Sequence, residues 1–170
     1  MNAQALFSDL NPERLSLPTK ARTRSGVIFD PSQDRWEFRE GLTDVLIGFD
    51  GWGLESSSLK IGFKLVLAWQ LSNLSPKHAL NMYSRSKQLF LYLIEQFGDL
   101  PSEISEEHLI SYSADPAVLK KGYLSSLSGF LKKWHELGYP GVSKGAVDYL
   151  NSVRLRGNEK GAAVRTMDPV

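Results

Sequence analysis

From Val118 to Tyr139 the chain reads VLKKGYLSSLSGFLKKWHELGY. Its apolar residues Tyr123, Leu127, Phe130, Leu131, Trp134 and Leu137 recur mostly in steps of three and four. Those steps place them on one stripe of a helix of period 3.6, with Lys120, Lys121, Lys132 and Lys133 off the stripe. Gly138 and Pro140 supply a stop signal. The spacing predicts one long helix here, and its apolar face has to be covered by other helices.

Those partners are legible on both sides. After the capping run Ser56-Ser57-Ser58, residues 59–74 are apolar on most sides (Leu59, Ile61, Phe63, Val66, Leu67, Trp69, Leu71), which predicts a central helix. Ser75-Pro76, a cap followed by proline at the first helical position, opens a helix to about Phe97 with Leu80, Tyr83, Phe90, Ile94 and Phe97 on one face. Ser105 caps a short helix over 106–114 with Glu106 and Glu107 in its first turn, where the helix dipole favours acids. Ser143 caps a last helix to about Leu155, turned inward by Val147, Leu150 and Val153 and ended by Gly157.

The amino-terminal third is less regular. Residues 1 to about 25 carry Pro12, Pro18 and little periodicity, so they read as poorly ordered. The basic run Lys20 to Arg24 is then either an arm that touches phosphates or an untethered terminus. GVIFD and RWEFR alternate around Asp30-Pro-Ser-Gln-Asp34, which predicts a small hairpin or two extended segments. Residues 41–53 mix large apolar side chains with glycines and read as a packed connector. GFDGWG lacks the strand, spacing and lysine of a phosphate loop.

A chain of 170 residues with 42% hydrophobic and 23% charged side chains is one ordinary globular domain, or one with an appendage. It contains no cysteine, which excludes disulfides and cysteine chemistry and fits a reducing cytosol. No signal peptide or membrane-length apolar run is visible, so a soluble intracellular protein is expected. The net charge of +1 is unevenly spread. Residues 1–55 hold six Lys/Arg against nine Asp/Glu, residues 56–119 five against six, and residues 120–170 nine against four. A basic final third points either to a polyanion partner or to a solvated lysine-rich surface.

Catalytic constellations are not apparent. His78, His108 and His135 lie about thirty residues apart without metal-ligand spacing. Glu106 and Glu107 are adjacent on a helix and point apart, and Ser125, Ser126 and Ser128 lack a nucleophile elbow. Neither a metal, a cofactor nor a small-molecule substrate is expected.

Four helices in the order long, short, long, medium span residues 75–157. They are carried by SPKHALNMYSRSKQLFLYL, ISEEHLISYS, YLSSLSGFLKKWHELGYP and VSKGAVDYLNSVRLRG. This arrangement resembles the core-binding, SAM-like domain of the tyrosine recombinase (phage integrase) family. RGNEKGAAVRTMDPV resembles the linker that leads to the catalytic domain in such integrases. The resemblance covers about half of the chain and rests on patterns of apolar and small residues.

It implies a mainly α fold, an orthogonal bundle of four to five helices with a short extended or hairpin N-terminal segment. The implied division is an extension over 1–55, a helical DNA-binding domain over 56–157 and a linker over 158–170. The implied function is one jaw of a clamp around duplex DNA at the crossover site. Catalysis would need a domain that is not part of this sequence. Partners would be double-stranded DNA and other recombinase protomers, in a bacterial or phage-encoded cytoplasmic setting. By position in that domain, Ser75, Lys77, His78, Asn81 and Arg85 on one helix would face the duplex. Lys120, Lys121 and Tyr123 would do so from the third, while Lys144, Arg154, Arg156, Lys160 and Arg165 would track the backbone. The rival expectation is a stand-alone helical module that meets another protein and has no affinity for DNA.

Overall fold

A computed structural model describes residues 16–55 and 57–153. The described chain is mainly helical and carries two small antiparallel hairpins. Strand β1 (Ala21–Arg22) pairs with β2 (Ile28–Phe29), and β3 (Arg35–Glu40) pairs with β4 (Thr43–Gly48). The helices are α1 (Leu59–Asn73), α2 (Pro76–Phe97), α3 (Glu106–Ala114), α4 (Pro116–Lys121), α5 (Tyr123–Glu136) and α6, described over 144–153.

The strands differ from the sequence expectation in their partners. Ile28–Phe29 does not fold forward onto RWEFR but back onto Ala21–Arg22, inside the stretch expected to be poorly ordered. Thr23 closes that turn, its backbone N–H donating to Val27 O (2.8 Å) and its Oγ1 accepting from Val27 N (2.9 Å). RWEFRE pairs with TDVLIG, the first half of the expected connector, across a two-residue turn in which Gly41 takes φ 61°. The physical reason lies in the linking turns. Asp30 fixes its own loop by accepting from Ser32 N (2.9 Å) and Ser32 Oγ (2.6 Å), while the two-residue turn lets six residues of each strand pair in register. That register sets Trp36 opposite Ile47 and Phe38 opposite Val45 on the inner face.

A chain of aromatic contacts runs from the first hairpin through the second to the helices. Phe29 meets Trp36 (centroids 5.1 Å apart), Trp36 meets Phe49 (4.7 Å), Phe49 meets Phe63 of α1 (5.8 Å), and Phe63 meets Phe90, Phe130 and Trp134. The hydrophobic core therefore runs from Phe29 to Leu150. As its composition predicts, α1 is buried almost all round.

One charge lies inside that contact. Lys64 of α1 has a side chain only 1% exposed, and its Nζ donates to Asp34 Oδ1 at 3.2 Å, with Lys60 Nζ 2.7 Å from the same oxygen. The Lys60 hydrogen bond outweighs desolvation and, with Lys64, holds the Asp34 carboxyl below its ordinary pKa. A carboxylate depressed by folding contributes stability above its unfolded pKa and loses it as pH falls through the folded one. The gap in thermal midpoint between the wild type and Asp34→Asn should therefore narrow as the pH is lowered from about 6 to about 3. A gap independent of pH would show that the carboxylate charge is not what ties the turn to α1.

The long helix expected over 118–139 is two helices. Gly122 adopts φ 65°, ends α4 by donating to Leu119 O (3.3 Å), and starts α5. The left-handed conformation costs glycine nothing, so the chain turns there although the apolar period continues. The buried stripe of α5 is Leu124, Leu127, Phe130, Leu131 and Trp134, with Tyr123 and Leu137 half-buried at its ends. Helix α6 lies along α3, joined by a 2.8 Å hydrogen bond between Tyr149 Oη and Ser113 Oγ. Residues 104 and 142 form a parallel bridge just before the two helices begin.

Candidate nucleic-acid interface

Helix α2 offers the longest exposed polar stripe among the expected contact residues. Lys77, Asn81 and Arg85 follow one another at i, i+4, with His78 beside them, and at 3.6 residues per turn the four occupy about 100° of the helix. Lys77, His78 and Asn81 are exposed, and Arg85 is half-buried. No Asp or Glu occurs in α2 before Glu95. The stripe is therefore cationic over its first three turns. Ser75 is used locally: it is the N-cap, its Oγ accepting from His78 N at 3.2 Å.

The stripe ends at the α4–α5 turn. The Arg85 guanidinium lies over the Tyr123 ring at 4.3 Å from its centroid, and Lys121 Nζ is 5.6 Å from the same centroid. Desolvation works to raise the Tyr123 phenol, but Lys121 and Arg85, through hydrogen bonding and charge, outweigh it and hold the phenol below the ordinary tyrosine value. Behind it, Tyr112 is buried and its phenol is pushed up to about 12 by desolvation. Neither Arg85, Lys120 nor Lys121 forms an ion pair with a carboxylate among the described residues. Asp115, which also bears on this cluster, is held as the cap of α4, its Oδ1 accepting from Ala117 N at 2.9 Å. Lys120 and Lys121 occupy the last turn of α4, where they also complement its carbonyl end.

Lys144 is placed differently. It is exposed, stands 4.0 Å from Asp148, and precedes Gly145, which lies against Glu106 at the start of α3. Its neighbours are acidic, and it does not join the Arg85 cluster. Arg154, Arg156, Lys160 and Arg165 lie outside the described residues.

A cavity of about 610 Å³ opens on the other side of the α4–α5 turn, lined by Val118, Leu119, Ser125, Gly129, Leu150 and Val153 among others. Leu119 stands 72% exposed. Sequence reasoning gave no sign of this cavity; the one available signal was Gly122 within a helical run. No group of His, Asp and Glu among the described residues is arranged to hold a metal ion, and no helix among them is long and apolar enough to cross a membrane. None of the family models, curated proteins or solved structures compared with the chain matches it.

Proposed function

We propose that this chain is an intracellular DNA-binding module that lays the amino-terminal half of α2 and the α4–α5 turn against duplex DNA. One observation carries the reading: Arg85 of α2 and Lys121 of α4 meet at the Tyr123 ring, with Lys77 on the same face of α2 and the exposed Lys120 next to Lys121 in the chain, and none of the four forms a carboxylate ion pair among the described residues. Cations left unpaired in this way gain affinity by displacing counterions from phosphates, and neutral donors such as Asn81 add contacts to base edges or sugars. The proposal extends to the class that the sequence resembles. The chain would be the core-binding half of a tyrosine recombinase clamp, with an orthogonal SAM-like bundle, binding at a crossover site beside other protomers and performing no catalysis itself.

Fluorescence anisotropy of a labelled duplex tests it. Replacing Lys120 and Lys121 together by alanine should weaken binding to any duplex and reduce the dependence of log K on log salt by about 2, since each lost phosphate contact removes about 0.9. Absence of binding by the wild type at low salt would overturn the proposal. A second reading, a module that meets another protein, is favoured by the α4–α5–α6 cavity with Leu119 exposed at its wall. It predicts concentration-dependent association with no response to DNA.

A further inference from the structure

Resting on that reading, we propose that Arg85, Lys121 and the Tyr123 hydroxyl form a seat for one phosphate group of the nucleic-acid backbone. A guanidinium that lies over a ring uses its face, and its N–H donors remain directed outward in its own plane. Lys121 brings a second cation to the same ring. Both cations stand at the ring, and the phenol O–H can donate to an anion held by them. Tyr123 is half-buried, so the ring is fixed while its edge reaches solvent. The carboxylate nearest in the chain, Asp115, is tied to the Ala117 N–H. Two cations and a hydroxyl donor around one point match the non-bridging oxygens of a phosphate, and the tyrosine contributes a hydrogen bond that adds no charge.

That last property makes the seat measurable. Tyr123→Phe keeps the ring under Arg85 and removes only the hydroxyl. It should weaken duplex binding about tenfold, the scale of one hydrogen bond to a charged group, with the salt slope unchanged. Arg85→Gln should weaken binding and also lower the slope by about 0.9, and in its background Tyr123→Phe should cost much less than tenfold, because the two act as a unit. Lys77→Gln, on the same strip but outside the seat, should leave the full tenfold cost of Tyr123→Phe in place. Duplex binding that stays within about twofold of wild type in Tyr123→Phe would overturn the seat and leave the DNA-binding reading standing. Titration of the full chain with inorganic phosphate, followed by NMR of the tyrosine rings, separates the two ideas. A shift at Tyr123 without duplex binding would keep the anion seat and overturn DNA as its source. A lack of response to both probes would overturn both.

Discussion

Raising the salt concentration from about 50 to about 200 mM should weaken duplex binding by about 10²-fold when four phosphates are neutralised, since log K falls by about 0.9 per contact for each tenfold rise in salt. Four is the number of Lys and Arg side chains among the expected contacts on α2 and α4: Lys77, Arg85, Lys120 and Lys121. Were Lys144, Arg154, Arg156, Lys160 and Arg165 also to meet phosphates, nine contacts would raise the loss to about 10⁵-fold over the same range. The slope thus counts the contacts. A value near −4 assigns affinity to the strip, and one near −8 adds the carboxyl-terminal cations. A flat dependence would exclude phosphate contacts as the source of binding.

The largest effect on stability is expected from one methyl group. At Gly62 of α1 an added Cβ would overlap the Pro140 carbonyl oxygen and stand 2.7 Å from Trp134 Nε1. Those two atoms form a hydrogen bond of 3.0 Å that ties the loop after α5 back to the buried Trp134, so the methyl group on α1 would drive the pair apart. Alanine gains about 1 kcal/mol of helix propensity over glycine. Overpacking costs about 1–3 kcal/mol, and a buried donor left unpaired costs about 1–3 kcal/mol more. Packing therefore wins, by about 1–5 kcal/mol, and Gly62→Ala should lower the thermal midpoint by about 2–20 °C. Gly129→Ala is the matched control. It is also helical, but its added Cβ meets nothing within 4 Å, so it should stabilise the fold by about 0.5–1 kcal/mol. Equal effects at both positions would mean that α1 does not cross Trp134 at Gly62.

Helices were the readable part of this sequence because their evidence is local. The Ser75-Pro76 start, the Ser105 cap and the apolar period of residues 59–74 each sit within a few residues of what they specify, and α1, α2 and α3 begin and end close to the expected positions. Gly122 was not readable as a break, since one glycine is tolerated in a helix and only its φ of 65° shows the turn. Alternation marked RWEFR as a strand but carries no information about its partner, and the run Val45-Leu46-Ile47 next to glycines resembled a connector as much as a strand. At the site, the i, i+4 spacing of Lys77, Asn81 and Arg85 is visible in the letters. The meeting of Arg85 with Lys121 and Tyr123 is not, because it depends on how α2 lies against the α4–α5 turn. Lys64 shows the same limit: its partner Asp34 is thirty residues away, and no periodicity joins them.

The docking of the hairpins on α1 and α2 has a consequence for the order of synthesis. Arg24 N donates to Leu71 O, Ser72 Oγ to Arg22 O, and Tyr83 Oη to Gly48 O, so each hairpin is held by helix residues that follow their partners by 35 positions or more. A two-stranded hairpin is marginal in water by itself. While residues 59–97 are being made, at about 5–20 residues per second, Trp36, Val45, Ile47 and Phe49 have no helix to cover them for about 2–8 seconds. During that interval an open strand edge lies next to an uncovered aromatic face, the combination that favours strand pairing between chains. The charges on the outward side of β3, Arg35, Glu37 and Arg39, lie where they would discourage it.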